Sequence, residues 1–352
     1  MSKVLDNNCP LCGASIKYNP KLEKFKCEFC RGEFTLEDLK KHTFNASTDK
    51  VNEGINGDDT DYQVYKCENC GAEIVTDSNT ASTFCLYCRS TAIIKNRLEG
   101  KFAPSKIITF KKTKEDAIKA FKGLKKGRFL IPKYFLSEEN IEKIRGIYIP
   151  FWLFDIEVNG GINAVCKKIT SWTSKDIHYT KTDTFSAIRE GKLSFNLVPV
   201  DGSTRFLDDI MNSIEPFDYK ELKDYNHAYL SGFLSEKYDV EKDTASLDAL
   251  KRSESSTTQE FKNSIKGYTT VSVTENTLKG NIVSDNYALL PVWMVNVKYG
   301  NKYYLFAMNG QTGEFIGNIP IDKKKAVIYF LITFVITFLI VVLISYLAYK
   351  GR

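Results

Sequence analysis

Apolar positions are spaced in three ways along this chain, and each spacing predicts a different kind of element. Positions 326–349 carry no charge and run through Ile328, Leu331, Phe334, Phe338, Ile340, Val342 and Leu347, with Thr333, Thr337 and Ser345 as the polar interruptions. A helix of that length reaches about 36 Å, enough for a hydrocarbon core of about 30 Å. It satisfies its hydroxyls on its own carbonyls. The pattern predicts a transmembrane helix at 326–349, because a buried core helix would need a domain after it and only Lys350, Gly351 and Arg352 follow.

Shorter apolar runs bounded by Gly, Pro and polar residues predict strands at 147–158, 162–169, 192–199, 268–274, 290–299 and 302–309. Asn309-Gly310 and Thr312-Gly313 supply hairpin turns. A helical spacing appears between them. Thr113 with Asp116 makes a capping-box pattern that opens a helix at 114–125, and Gly127 stops it. Ser137 caps a second helix ending at Gly146; 205–211 reads as a helical block and 241–264 as a polar helix. The third spacing is a lack of apolar residues. Residues 43–62 cannot bury enough surface to order themselves. A flexible linker of that length spans about 25 Å and leaves whatever precedes it free to move independently.

One strand pattern occurs twice. Residues 149–156 read Ile-Pro-Phe-Trp-Leu-Phe-Asp-Ile, and 290–297 read Leu-Pro-Val-Trp-Met-Val-Asn-Val, matched in type at every position. Each Pro suits the first residue of a strand, where its missing N–H costs little. Two explanations stand at this point: a duplicated β unit giving a pseudo-symmetric domain, or two buried strands that converged on one pattern.

Cysteine changes the picture at the N-terminal end. Cys9, Cys12, Cys27 and Cys30 form C-x2-C-x14-C-x2-C, and Cys67, Cys70, Cys85 and Cys88 repeat that spacing 58 positions later. Two cysteines three positions apart on a tight knuckle offer both thiolates to one ion, with Gly13 or Gly71 supplying the turn conformation. Two such knuckles at the ends of a hairpin complete a four-sulfur tetrahedron. Disulfides suit an exported chain, and no apolar segment follows Met1 to direct export. A redox CxxC comes singly after a strand. The expectation is two structural zinc ions, each held by four thiolates with no open position for catalysis. Cys166, in an apolar strand, reads as a buried inert thiol.

The domains expected are zinc ribbon 1 at 1–40, a linker at 41–62, zinc ribbon 2 at 63–98, a mixed α+β, strand-rich domain at 99–322, and the transmembrane helix at 326–349. Charge is uneven. The net charge is +6, yet residues 101–133 alone carry eleven basic residues against Glu115 and Asp116. Such a run reads as a solvated helix face, a contact for anionic lipid or protein, or a nucleic-acid footprint. Its phenylalanines, Phe102, Phe110, Phe121 and Phe129, read as core.

The two cysteine sets, together with 102–110 (Phe-Ala-Pro-Ser-Lys-Ile-Ile-Thr-Phe), 149–155, 230–233 (Leu-Ser-Gly-Phe) and 306–313 (Phe-Ala-Met-Asn-Gly-Gln-Thr-Gly), resemble the TFIIB-type zinc-ribbon membrane proteins of Gram-positive bacteria, the YdjG-like proteins among them. The resemblance covers nearly the whole chain. It implies a membrane protein encoded beside SPFH or TPM-domain proteins and linked to envelope stress. Arg31 and Arg89 stand where many members have Gly after the last zinc cysteine, which bears on the turn of the second knuckle.

Catalytic patterns are sparse. His42, His178 and His227 lie in no H-E-x-x-H or G-x-S-x-G context, Asp208-Asp209 reads as a solvated face, and no phosphate-binding G-x4-G-K-[ST] occurs. The chain is expected not to be an enzyme. Two function classes follow: a membrane-anchored scaffold that binds protein partners from the cytoplasmic side, or a zinc-ribbon regulator of nucleic acid tethered to the membrane. A sole C-terminal signal favours a tail-anchored, single-pass topology in the cell membrane. Lys323, Lys324 and Lys325 against Lys350 and Arg352 add a small bias for a cytoplasmic bulk.

Overall fold

The computed structural model describes residues 8–42, 62–66, 73–85, 91–94, 98, 100–125, 129–206, 208–300 and 302–350. Residues 43–61 of the expected linker and Cys67, Cys70 and Cys88 lie outside the described residues, and the expected linker's ends, 41–42 and 62, belong to a helix and a strand instead. The fold is mixed α+β and strand-rich. A three-stranded sheet holds β1 (Ile16–Asn19), β2 (Lys24–Cys27) and β3 (Glu33–Phe34), followed by α1 (Leu36–His42). β4 (Tyr62–Lys66) pairs with β5 (Glu73–Asp77).

The remaining strands form one large sheet. In chain order these are β6 (Thr80–Phe84), β7 (Thr91–Ile93), β8 (Lys106–Ile107), α2 (Lys114–Gly123), α3 (Glu138–Glu142), β9 (Arg145–Ser174), β10 (Ile177–Asp201), α4 (Asp208–Ser213), β11 (Lys223–Asp224), β12 (Leu234–Glu236), α5 (Lys242–Ser264), β13 (Thr270–Asn276), β14 (Lys279–Tyr299), β15 (Lys302–Asn309), β16 (Phe315–Gly317) and the C-terminal α6 (Lys323–Lys350). The central path runs β11-β8-β14-β9-β12-β6-β7; β10 and β13 pair with β9, and β15 with β14 and β16.

The two matched sequence runs are the two central strands, and they pair with each other. Ile149 lies opposite Leu290, its own counterpart in the repeat, so a local two-fold axis passes between them. The neighbours obey the same axis. Leu234 of β12 pairs in parallel with Ile147, and Lys106 of β8 pairs in parallel with Ala288, the equivalent position. The Trp152 indole donates to the carbonyl of Val240, and the Trp293 indole to that of Lys112, both at 2.9 Å. Each carbonyl lies just before a helix, α5 and α2 respectively. Gly202 N–H donates to the Pro150 carbonyl, and Gly310 N–H to that of Pro291. The Gly202 carbonyl accepts from Asp239 and Val240, and the Gly310 carbonyl from Lys111 and Lys112. Equivalence at this many independent bonds decides for a pseudo-symmetric domain over convergence of two strands.

Both faces of these strands are covered, which explains runs of apolar residues without alternation. On β9, Tyr148, Trp152, Phe154, Ile156 and Val158 face a core shared with α2 and α5, while Ile147, Ile149, Phe151 and Leu153 face a second core with Ile210, Met211 and Ile214. Thr113 and Asp116 make the expected capping box of α2. Asp155 carries the polar load between the layers: it accepts from Leu197 N–H at 2.9 Å and from Ser284 Oγ at 2.5 Å, beside the bulges of β10 and β14.

Several expected boundaries move. The second predicted helix is the short α3, Ser137 gives it no side-chain cap, and β9 starts before Gly146. The strands expected at 147–158 and 162–169 are one strand. Gly160, at φ +127°, lets β9 continue where its neighbour changes from β14 to β13; a Cβ there would lie 2.5 Å from the Thr277 carbonyl oxygen. β9 and β10 also run on as a hairpin arm to Ser174 and Ile177, where mostly polar residues stand exposed.

Because both Trp indoles donate to half-buried carbonyls in equivalent places, Trp152→Phe and Trp293→Phe should each cost about 1–3 kcal/mol, read by denaturant unfolding in mild detergent. A cost confined to one of them would contradict the equivalence of the halves.

Candidate metal centre

The first four-cysteine set converges. Cys9, Cys12, Cys27 and Cys30 bring their sulfur atoms within 4.8 Å of one another. Cys9 lies 3.5 Å from Cys30, and Cys12 lies 3.6 Å from Cys27. A tetrahedral zinc with bonds of about 2.3 Å needs sulfurs about 3.8 Å apart, so the donor set and its spacing fit one such ion.

Local sequence builds both knuckles. In the first, Gly13 N–H donates to the Cys9 carbonyl at 2.9 Å, and Gly13 has φ +72°. In the second, Cys27 N–H donates to the Gly32 carbonyl and Cys30 N–H points at the Cys27 sulfur from 3.5 Å. Arg31 takes φ +62°, the left-handed conformation that Gly adopts without strain, and the departure noted in the sequence is accommodated there. Between the knuckles, Ile16 lies opposite Cys27 and Tyr18 opposite Phe25, all four buried.

Cys9 and Cys27 are buried, Cys12 and Cys30 exposed. Burial raises the Cys27 thiol, but the amides of Cys30 and Phe29 outweigh it and bring the thiol to about 7. The Ala14 amide pulls the Cys12 thiol down, yet burial and the neighbouring thiols leave it raised. Crowded thiols cannot all ionise alone; a divalent ion lets them.

The hairpin that carries these cysteines is seated on the domain, which corrects the expectation of independent motion. Tyr18 N–H donates to the Ser231 carbonyl at 3.0 Å. The Tyr229 ring packs against Tyr18 and Phe25 with centroids 5.6 and 5.8 Å away. Glu23 reaches Lys111 at 3.7 Å and Lys223 at 3.5 Å. Apolar burial on both sides outweighs the entropy that a free tether would keep.

Of the second set, Cys85 is buried beside Ile74, while its three partners lie outside the described residues. Strands β6 and β7, expected within a separate ribbon, end the central path of the large sheet, joined to it through β12. Arg205 ties this segment down, at 2.9 Å from Asp77 and 3.0 Å from Glu236. Burial, partly offset by Arg205, leaves the Glu236 carboxyl above its ordinary range. Asp77, despite partial burial, is held down at about 2 by Arg205 and the amides of Thr80 and Asn79.

A Bacillus subtilis (strain 168) protein named uncharacterized protein YdjG is 33% identical to this chain over 329 residues, which cover 93% of each. The chain belongs to the YdjG family. No family model matches it, and no solved structure matches it.

The structure assigns physical roles to the stretches that carried the resemblance. In this YdjG-family chain, residues 229–233 join three parts: Ser231 holds β1, Gly232 N–H donates to Thr91 of β7 at 2.8 Å, and Phe233 stacks on Phe110 at 4.1 Å. Residues 306–313 end in a turn where Asn309 Oδ1 accepts from Gln311 and Thr312, and its amide donates to the carbonyls of Ile214 and Pro216. Tyr18, Phe25 and Tyr229 were not singled out in the sequence; alternation in β1 and β2 was the available signal. Among the histidines, His178 meets Thr173 at 3.1 Å near the arm tip, and His227 meets the Tyr225 hydroxyl at 2.9 Å. Cys166 is buried in the first core.

Tyr229→Ala should leave metal on the first ribbon but raise amide exchange at Tyr18 at least about tenfold, about 1.4 kcal/mol of lost docking. Unchanged exchange would show that the ribbon is held elsewhere. Arg205→Ala should cost about 1–3 kcal/mol at neutral pH, because it strands the Glu236 charge while the Arg205 side of the pair stays partly open to water. That penalty should shrink as the pH falls through the raised titration of Glu236, since protonation removes the unpaired charge; a penalty that grows in acid would contradict the assignment.

Proposed function

We propose that this chain is a membrane-anchored zinc-ribbon scaffold. In this reading α6 crosses the cell membrane once, the bulk of the chain lies on the cytoplasmic side, both cysteine sets hold structural zinc, and the domain binds protein partners beside the bilayer. The observation that carries it is the closed four-thiolate geometry of the first ribbon. Four thiolates leave no open position for substrate, so the metal serves shape. α6 supports anchoring: it is long and apolar enough to span, and none of its apolar window is buried against the domain.

The basic stretch supports a scaffold more than a nucleic-acid reader. Lys101, Lys106 and Lys111 pair with Glu241, Asp224 and Glu221, so their charge is directed at the domain itself. Phe110 and Phe121 are buried rather than offered for base stacking. The β9–β10 arm offers a contact surface instead, where Trp172 stacks on Tyr179 at 5.5 Å with both rings partly exposed. Exposed aromatic pairs of this kind anchor protein interfaces. SPFH and TPM-domain proteins are the partners that family resemblance brings forward.

Purification of the full chain from solubilised membranes tests this. The expected result is two zinc ions per chain and nuclease-resistant recovery of membrane-complex proteins. Combined Trp172→Ala and Tyr179→Ala changes should reduce that recovery and leave the zinc content unchanged. Nuclease-sensitive recovery of transcription or replication factors would favour the nucleic-acid regulator.

A further inference from the structure

The first turns of α6 are bolted to the domain. Asp322 N–H donates to the Leu130 carbonyl at 2.8 Å, and Lys325 Nζ donates to the Ile131 carbonyl at 2.7 Å. Asp322 also caps the helix, its Oδ1 accepting from Lys324 and Lys325 N–H at 3.1 and 3.2 Å. These bonds fix the height of the 129–131 segment relative to the helix.

An apolar groove of about 560 Å³ opens at this junction, lined by Phe129, Leu130, Ile131, Ile319 and Ile321 together with Tyr329 of α6. Phe129 is 73% exposed and Ile321 61% exposed, whereas Phe110 and Phe121 of the same basic stretch are fully buried. The Phe129 ring lies 6.3 Å from that of Tyr329. Tyr329 stands about 9 Å along the helix from Lys323. With Lys323, Lys324 and Lys325 at the height of the headgroups, Tyr329 takes the aromatic level of the interface, and Phe129 sits beside it.

We infer that Phe129 and Ile321 form a collar that inserts into the leaflet α6 enters, with phospholipid acyl chains filling the groove. The inference rests on the reading of α6 as a membrane span. Continuity with the unburied helix selects lipid as the occupant, and the flanking lysines suit anionic headgroups. The domain therefore stands on the bilayer at a fixed height instead of swinging from its anchor.

The test uses the full chain reconstituted in vesicles of phosphatidylcholine and phosphatidylglycerol. Three variants, Phe129→Trp, Ile321→Trp and Leu339→Trp, are compared with the parent, with acyl chains brominated either near the headgroup or near the terminal methyl. The added emission of Phe129→Trp and Ile321→Trp should be largely lost with shallow bromine, and that of Leu339→Trp with deep bromine. Quenching at position 339 without quenching at 129 and 321 overturns the collar and leaves the span standing. No quenching at 339 overturns the span, and the collar with it. Both collar positions are exposed in the structure, so the substitutions leave the core unaltered.

Discussion

Pairing of β9 with β14 about the Ile149–Leu290 axis is the constraint on which the rest of the structure depends, because the central segments of those strands are buried on both faces, between the two apolar cores. Each carries a Trp that grips the approach to a helix of the opposite half. The short strands β8 and β12 likewise cross over, each pairing with the other half's long strand. Neither half can complete its sheet alone. Interlocking of this kind makes the domain a single cooperative unit and gives the four-cysteine hairpin a rigid seat.

Much of this was legible in the sequence where a strong local signal existed. The repeated Pro-x-Trp run marked both central strands, since burial on two faces demands uninterrupted apolar residues. Thr113 and Asp116 marked the start of α2, and the cysteine spacing marked the first cluster. Signals that depend on tertiary context were weaker. The β9–β10 arm escaped because its residues are solvated on both faces and show no alternation. Gly160 and Gly161 read as a break, although the sheet uses them for a close backbone approach. Docking of the ribbon escaped for a different reason: Tyr18, Phe25 and Tyr229 meet only when segments far apart in sequence fold together.

The four-cysteine cluster, the sheet and α6 thus belong to one mechanical chain. Cysteines 9, 12, 27 and 30 fix a small hairpin; that hairpin lies on residues 229–233, which hold the edge strands and stack on Phe110. Backbone and lysine bonds from the 130–131 segment then fasten α6. In the proposed scaffold, a partner bound at the hairpin or the arm would be held at a defined distance from the membrane.

In the proposed scaffold the metal is structural, bound by thiolates alone on a membrane-tethered domain. X-ray absorption at the zinc edge of the purified full chain tests it most directly. Four sulfur neighbours at about 2.3 Å and no lighter ligand are expected. An oxygen or nitrogen neighbour at about 2.0 Å would contradict it, because it would mark an open or mixed site able to support chemistry.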